Sequence, residues 1–314
     1  MNFLVSLFSK KPNTIQVNSC LKVSNMWPSN NYSTLWLNQF LQHHQLLPPQ
    51  RCCHIFSVFG RVPTINQQEL NLFISGENVH YKAFKRYQNH ALDIADVAIG
   101  SDFLTAPNYV RLPLWVSYLF PPDADKATIE KIIHQYNFST NTLDRPIKFA
   151  MIASHDKRAG KRKKIVSFIE KNCGSVACAG KLLNNTQDLK IKFRDDKIAY
   201  LQQVAYNICP ENSNYPGYVT EKVFEAIQAG CIPIYWGSNN VPEPTILNQS
   251  AIAFYQPDNN NAALLEQIAN INATNNIASM PRFTPTAAEH IWDMYVALKQ
   301  TITLAIEQKN YTNV

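Results

Sequence analysis

Short apolar runs alternate with amphipathic segments along the first part of the chain. A Ser33-Thr34 start signal followed by apolar residues at helical spacing predicts a helix in "STLWLNQFLQ". Four apolar runs are instead typical of buried strands. They are "CCHIFSVFG", "LNLFISGEN", "ADVAIG" and "YVRLPLWV". Strands separated by helical patterns favour an α/β domain with a parallel sheet.

The second half of the chain repeats this alternation. The run "IKFAMIAS" predicts a strand, and "KKIVSFIEKN" predicts a helix with Gly174 as its C-cap. "AYLQQVAYNICP" reads as a helix that runs into a strand. Residues 203–237 then follow a strand–loop–helix–strand pattern, which is the right-handed crossover unit of parallel sheets. A second α/β domain is therefore expected.

A proline-rich and then polar segment, "FPPDADKATIEKIIHQYNFSTNTLDRP", separates the two halves and predicts one helix around residues 124–136. We predict an N-terminal domain over residues 1–140 and a second domain over 141–285. An amphipathic helix over 286–314 is expected to pack between them. Its apolar stripe consists of Ile291, Tyr295, Leu298, Ile302 and Ile306.

Composition places the chain among globular proteins, with 46% apolar and 17% charged residues in 314. No apolar run reaches the roughly 18 residues of a membrane span. The opening "MNFLVSLFSKK" has no basic region before its apolar residues, which makes it a poor secretory signal. It predicts a first strand or a weak interfacial segment backed by Lys10 and Lys11. A cytoplasmic location is expected, with this segment as a peripheral membrane contact.

The formal charge of +6 is concentrated in "HDKRAGKRKK", residues 155–164. Such a cluster indicates either nucleic-acid or membrane binding, or recognition of a small polyphosphate. A nucleic-acid binder would interleave basic and aromatic residues over a wide face, so nucleic acid is not expected as a partner. The seven cysteines lack zinc-site spacing. Reduced thiols and no metal ligand set are therefore expected.

The stretch "CPENSNYPGYVTEKVFEAI", residues 209–227, contains a loop richer in polar side chains than a plain strand-to-helix connection of about 2–6 residues requires. Pro216-Gly217 predicts a turn. Thr220 can cap the following helix, whose first N–H groups favour an anion. Lys222 opposes the helix dipole, a conflict that a bound phosphate would remove. Glu221 suits a sugar hydroxyl or a developing positive charge; the alternative is a capped helix with solvated charges.

Two further segments follow strands in the same way. "ISGEN", residues 74–78, places Glu77 after a strand and a glycine, where a carboxylate could serve as a general base or simply be solvated. The basic loop 155–164 is expected to face the same cleft as Lys222. Two basic groups there suggest a diphosphate, with arginine favoured for bidentate contact. A solvated basic helix start is the alternative.

The segment "CPENSNYPGYVTEKVFEAIQAGCIPIYWGS" resembles the signature of the α1,3/4-fucosyltransferases of glycosyltransferase family 10. The resemblance continues in "FSVFG", "ISGEN", "DVAIGSDF" and "YVRLPLWVSYLF", and covers roughly residues 20–240. "SNMWP" and "FSVFG" resemble the bacterial branch, which lacks a membrane anchor. This implies a cytoplasmic enzyme, at most peripheral to the inner membrane.

The resemblance implies a GT-B fold, with two Rossmann-like domains facing each other across a cleft and GDP-fucose held by the second. Glu77 resembles the general base of the family, and Glu221 would lie near the fucosyl ring. Asn212, Tyr218 and Lys222 resemble donor-binding residues.

One donor-binding position has three candidates in the sequence. Arg162 is the counterpart of a family arginine by its spacing to Ile165 and Ile169, but the preceding loop is one residue longer, which leaves Arg158 and Lys161 open. Pro210 replaces an aromatic residue of the family pattern.

The implied reaction is an inverting transfer of fucose to a glycan hydroxyl, by default O3 of N-acetylglucosamine in an N-acetyllactosamine-type or O-antigen glycan. The acceptor, an oligosaccharide or glycolipid, would contact loops around 26–32 and 79–87. No cofactor is required by this scheme, and Mn²⁺ or Mg²⁺ is expected at most to stimulate. The alternatives are a transferase for another GDP-sugar and a non-catalytic glycan- or nucleotide-binding relative.

Overall fold

The computed structural model describes residues 21–27, 32–47, 51–138, 142–156, 160–257, 259–274 and 280–311. They form two five-stranded sheets in which every strand pair is parallel. The expected α/β class with two Rossmann-like domains is confirmed. The first sheet contains β1 Leu21–Ser24, β2 Cys53–Phe56, β3 Leu70–Ile74, β4 Val97–Gly100 and β5 Tyr109–Arg111. The second contains β6 Ile147–Met151, β7 Val176–Cys178, β8 Val204–Pro210, β9 Ile232–Trp236 and β10 Ala253–Phe254.

The first sheet keeps chain order, β1-β2-β3-β4-β5. Its middle strands β2, β3 and β4 are buried at every residue, which explains their continuous apolar runs. The helices on this side of the molecule are α1 Tyr32–His43, α2 Leu114–Leu119 and α3 Lys126–Tyr136, with a 3₁₀ segment over Lys82–Tyr87. Asp125 caps α3 by accepting from the Thr128 backbone N–H at 2.8 Å.

The prediction of one strand over "YVRLPLWV" is wrong in its second half. Strand β5 stops at Arg111, and Leu114 begins helix α2. Pro113 occupies the N-cap position with extended φ and ψ of −59° and 150°. Proline cannot donate to a strand ladder but is tolerated at a helix start, so it converts a uniformly apolar run into two elements.

The second sheet has the order β10-β9-β8-β6-β7. Its helices are α4 Lys161–Asn172, α5 Asp188–Ile191, α6 Lys197–Leu201, α7 Glu221–Gln228 and α8 Ala262–Thr274. The predicted crossover is confirmed as β8–α7–β9, with β8 and β9 paired in parallel. The 3₁₀ segments Ser238–Asn240 and Gln249–Ala251 complete the described connections.

The last helix, α9 Ala287–Tyr311, packs largely on first-domain elements. The Tyr295 ring lies 5.5 Å from the Trp36 ring, and its hydroxyl donates to the Pro121 carbonyl at 2.8 Å. Lys309 pairs with Asp96 at 3.0 Å. The division of the chain at residues 140 and 285 remains a prediction.

Side chains also connect the two halves of the molecule. Arg111 donates to the Glu243 carboxylate at 2.8 Å, and the Trp115 indole N–H donates to the same oxygen at 3.0 Å. Trp115 stacks on Phe224 of α7 with ring centroids 4.1 Å apart. The first domain is thus held directly against α7, the helix that follows residues 211–220, the polar loop.

The cysteines correct one expectation. Cys52 is disulfide-bonded, so the prediction of reduced thiols is wrong at this position. Sequence spacing does not reveal which cysteines the fold brings together, which is why the pattern missed it. Free thiols among the described residues belong to Cys53, Cys173, Cys178, Cys209 and Cys231.

Two expectations concern membranes. In the described part of the chain, no helix is both long and apolar enough to cross a bilayer. The segment "MNFLVSLFSKK" lies outside the described residues.

Candidate active site

A cavity of about 220 Å³ lies at the carboxyl ends of β6 and β8, beside the start of α7. This edge of a parallel sheet is where ligands bind in open α/β folds. Its polar lining includes Ser154, His155, Arg162, Asn212, Glu221 and Lys222. The volume is below the ~300–1,000 Å³ of whole-ligand pockets, so the cavity fits only part of a ligand of ordinary size.

Arg162 reaches this cavity from the first turn of α4. Gly160, with φ of 60°, turns the chain into the helix, and Asp156 accepts from the backbone N–H of Lys163 at 3.0 Å. The Arg162 side chain is buried and donates to the His155 carbonyl at 2.5 Å and to Asn212 Oδ1 at 2.6 Å. These contacts fix a cation and an amide from two neighbouring strand ends in one orientation.

Lys222 lies at the centre of a buried charge network. Its ammonium donates to Thr220 Oγ1 at 2.7 Å, Glu221 Oε1 at 3.2 Å and Glu211 Oε2 at 3.5 Å. Burial opposes the charged form, but the Glu221 and Glu211 carboxylates outweigh it and raise the pKa of Lys222. Lys222 is therefore a fixed cation at neutral pH.

The sequence predicted that Thr220 would cap α7, but its side chain makes no capping hydrogen bond. Its hydroxyl donates to Glu211 Oε2 at 2.6 Å, and its backbone N–H donates to Glu211 Oε1 at 2.7 Å. The hydroxyl is thus directed to a buried carboxylate instead of to the helix. The positive charge of Lys222 is unfavourable at the start of a helix, and the carboxylates of Glu211 and Glu221 compensate for it.

Glu211 is the residue that sequence reasoning did not single out. It is fully buried and also accepts from the Tyr235 hydroxyl at 3.4 Å. Burial raises the pKa of Glu211, against the opposing effect of Lys222. A carboxylate immediately after strand β8 was the available signal, but nothing in the pattern distinguished it from a solvated loop residue.

We predict that Glu211→Gln lowers the free energy of unfolding by about 1–3 kcal/mol, because a glutamine presents only one acceptor oxygen to the two Thr220 donors. Urea denaturation of the purified chain measures this loss. Glu266→Gln on the exposed face of α8 is the control, expected within about 0.5 kcal/mol of the parent. Equal unfolding midpoints for the two variants would contradict the prediction.

Glu221 lines the cavity beside Lys222. Burial disfavours its charged form, but Lys222 and Lys197 prevail and lower the pKa of Glu221. The carboxylate is therefore ionised at neutral pH. A fixed negative charge in a mostly buried wall can stabilise positive charge on a ligand far better than a solvated one can.

Glu77 follows β3 on the opposite domain. Its backbone N–H donates to Ser75 Oγ at 3.2 Å, and Ser75 Oγ donates to its carbonyl at 2.9 Å. The Trp27 indole N–H donates to Glu77 Oε1 at 3.4 Å. Next to it, Asn78 donates to Ser213 Oγ at 2.9 Å, so the Glu77 loop contacts the polar loop of the second domain.

Tyr218 connects these two sides. Its side chain is buried, and burial together with the nearby Glu77 and Glu211 carboxylates raises the pKa of Tyr218 well above its usual range. The phenol is therefore neutral at physiological pH. The turn before it is made by Gly217, whose φ is 79° and whose backbone lies against Ser101 and Phe103 of the first domain.

The cavity therefore gathers Arg162, Asn212, Glu221 and Lys222, while Glu77 and Tyr218 lie outside its lining. Of the other cations considered, Arg158 lies outside the described residues, and Lys161 does not line the cavity. The individual roles of these residues remain predictions.

A larger groove of about 640 Å³ runs along α9, lined by residues such as Trp292 and Leu304 and bordered by His44 just after α1. It collects few ionisable groups. Charged groups converge on the smaller cavity, which is therefore the better candidate for chemistry.

Comparison with known proteins identifies both halves of the chain. Residues 21–118 match the model of the alpha-(1,3)-fucosyltransferase FucT N-terminal domain. Residues 143–276 match the C-terminal model of glycosyltransferase family 10 (fucosyltransferase). A curated relative, alpha-(1,3)-fucosyltransferase FucT of Helicobacter pylori, is 26% identical over 199 residues. That alignment spans 56% of this chain and 39% of the relative.

Solved structures share the fold over most of the chain. A crystal structure of an α1,3-fucosyltransferase with GDP-fucose aligns with a TM-score of 0.56 and 18% identity, covering 90% of this chain and 89% of the other. The structure with GDP aligns with a TM-score of 0.54 and 18% identity, covering 89% of each chain. The expected GT-B arrangement is thereby confirmed. The chain belongs to the fucosyltransferases of glycosyltransferase family 10.

Proposed function

We propose that this chain transfers fucose from GDP-β-L-fucose to a glycan hydroxyl and forms an α1,3-fucoside. The observation that carries the proposal is the convergence of Arg162, Lys222 and Glu221 on one cavity, across from the loop that bears Glu77. Two fixed cations suit a diphosphate, and an ionised carboxylate beside them suits a sugar ring that becomes positive.

In this proposal the GDP diphosphate contacts the Arg162 guanidinium and the Lys222 ammonium. Arg162 is anchored through the His155 carbonyl and Asn212 before any ligand arrives. Preorganised donors of this kind stabilise developing charge without reorganisation during the reaction. Asn212 and Tyr218 complete the donor side as contacts or supports for the sugar nucleotide.

The reaction is a single displacement. The acceptor oxygen forms a bond to C1 of fucose while the bond from C1 to the phosphate oxygen breaks, and its electron pair leaves with GDP. The acceptor proton passes to the Glu77 carboxylate. Attack on the face opposite GDP converts the β-linked donor into an α-fucoside. Glu221 stabilises the positive ring, while Lys222 and Arg162 stabilise the negative leaving group.

Calorimetric titration with GDP-fucose, GDP-mannose and GDP tests the donor. We expect heat from GDP-fucose and GDP, with GDP-fucose preferred over GDP-mannose. A preference for GDP-mannose would favour a transferase for another GDP-sugar. The absence of any GDP binding would favour a non-catalytic relative and would overturn the proposal.

The acceptor side is proposed to contain an aromatic surface next to Glu77. Trp27 lies 5.3 Å from Phe59, which lies 5.3 Å from Phe84. Phe59 and Tyr81 are each 38% exposed. Exposed aromatic residues grouped beside a buried polar group are typical of a binding surface, and their ring faces can contact the C–H face of a sugar. An N-acetylglucosamine-containing glycan is the proposed acceptor class.

We predict that Phe59→Ala raises KM for an N-acetyllactosamine acceptor roughly 2- to 10-fold, the equivalent of about 0.5–1.5 kcal/mol of lost ring contact. KM for GDP-fucose should stay unchanged because the ring lies on the first domain. Initial rates with each substrate varied separately measure both constants. Phe138→Ala, at an exposed position after α3, is the control. A larger rise in KM for GDP-fucose than for the acceptor would refute the assignment.

A further inference from the structure

Three side chains outside the proposed chemistry converge at the loop that carries Glu77. His80 Nε2 lies 2.5 Å from Asp102 Oδ2, and His90 Nε2 lies 2.8 Å from the same oxygen. The potential ligand atoms of all three residues lie within 4.8 Å of one another. They come from three segments: the loop after β3, the turn after the 3₁₀ segment and the loop after β4.

We propose that His80, His90 and Asp102 bind a divalent transition-metal ion, with Zn²⁺ as the preferred occupant. Two imidazole nitrogens and one carboxylate oxygen form a ligand set common for such ions, and water can complete the coordination. None of these residues lines the donor cavity, so the proposal gives them no step in fucosyl transfer.

The interatomic distances suit such an ion. Ligands about 2.1 Å from a tetrahedral zinc lie about 3.4 Å apart. The nitrogen–oxygen separations of 2.5 and 2.8 Å would therefore need to widen by less than about 1 Å. A small rotation of the Asp102 side chain, which is 14% exposed, supplies that movement and leaves an open side for water.

The surroundings hold the three ligands in place. His90 is buried, and its ring packs edge-on against Tyr109 at 5.0 Å. The Tyr109 hydroxyl donates to the Asp102 carbonyl at 3.1 Å. A Cβ at Gly100 would lie 2.8 Å from His90 Nδ1, so only glycine leaves room for this imidazole.

The backbone around His90 also has an unfavourable conformation. His90 and Ala91 both have φ of 56°, in the left-handed region that non-glycine residues rarely adopt. Such a conformation is unfavourable for a residue with a side chain and persists where the surrounding structure enforces it. Here it directs the His90 imidazole toward Asp102.

The site would have a structural consequence. The His80 ring stacks on Tyr215 of the polar loop, with centroids 4.0 Å apart and an interplanar angle of 16°. An ion on His80 would therefore join three first-domain segments and support a contact with the donor-binding domain. Its role in this proposal is to hold the Glu77 loop against that domain, not to take part in the reaction.

The test uses the full chain purified without a histidine tag and dialysed against EDTA. Titration with Zn²⁺ in the presence of a chromophoric chelator, followed by elemental analysis, should give one tightly bound ion per chain. Co²⁺ should bind with visible absorption bands typical of mixed nitrogen and oxygen ligands. The affinity order should be Zn²⁺ above Co²⁺ above Mn²⁺, as general for such ligands, with Mg²⁺ weakest.

Two variants locate the ion. His80→Gln should weaken Zn²⁺ binding by more than about 100-fold, since even outer partners of metal ligands are worth about 10–100-fold. Asp102→Asn serves as the second variant if His80→Gln fails to unfold cooperatively. His43→Gln, at an exposed position on α1, should bind like the parent. Failure of the parent chain to bind Zn²⁺, or unchanged binding in both ligand variants, would overturn the proposal and leave a hydrogen-bonded contact.

Discussion

Replacing Glu77 by glutamine is expected to lower kcat about 10²–10⁴-fold, the usual contribution of a positioned general base. The amide keeps the size of the side chain and can still accept from the Trp27 indole, as the carboxylate does at 3.4 Å. It cannot accept a proton from the acceptor hydroxyl. The affinity for GDP-fucose should be nearly unchanged because Glu77 does not line the donor cavity.

Steady-state rates of GDP release with saturating acceptor, combined with calorimetric titration of GDP-fucose, separate these two effects. Glu130→Gln on the exposed face of α3 is the matched control and should retain parental kcat. The assignment of the base would be wrong if Glu77→Gln turned over at the control rate. It would also be wrong if the variant lost donor affinity and kept kcat.

Arg162→Ala should weaken GDP binding about 10- to 100-fold, since hydrogen bonds to charged groups contribute about 1.5–3 kcal/mol. The guanidinium also holds Asn212, which accepts from it at 2.6 Å. Its loss should therefore release the start of the polar loop as well. kcat should fall too, because the leaving diphosphate gains negative charge in the transition state.

Arg162→Lys provides a finer test, because it keeps the charge but cannot contact the His155 carbonyl, Asn212 and a phosphate with one planar group. We expect it to recover only part of the affinity for GDP. Lys164→Ala, at an exposed position two residues further along α4, is the control and should bind GDP like the parent. Equal GDP affinity in Arg162→Ala and the control would show that the diphosphate does not bind at Arg162.

The sequence predicted the fold well where pattern and burial coincide. The run at Leu70–Ile74 is buried at every position, and such a run has few alternatives to an interior strand. Helix Lys126–Tyr136 matches the helix predicted around residues 124–136, and the Asp125 side chain caps its start. Both elements are determined by residues that are neighbours in sequence, so the sequence alone predicts them.

The features that the sequence did not predict depend on contacts between segments that are distant in sequence. Glu211 acts through Thr220 and Tyr235, and no local pattern distinguishes its buried carboxylate from a solvated one. Thr220 was predicted as a cap because the cap signal is local, but a buried partner takes its hydroxyl. The sequence pattern did not single out His80 and His90, since only the fold brings both to Asp102.

The link between the domains bears on how the site is assembled. Asn78 contacts Ser213 at 2.9 Å, and His80 stacks on Tyr215 at 4.0 Å. Both first-domain residues belong to the loop that carries Glu77. The proposed base is thus held against the loop that is proposed to bind the donor, which is the arrangement a single displacement requires.

Fucosyl transfer by this chain is tested most directly on the reaction product. The chain is incubated with GDP-β-L-fucose and a panel of N-acetylglucosamine-containing acceptors, and the product is analysed by NMR. We expect release of GDP together with a new α-linked fucose on O3 of N-acetylglucosamine. A β-linked product would contradict the inverting displacement. Bound GDP-fucose that is never transferred to any glycan would contradict the assignment of this chain as a fucosyltransferase.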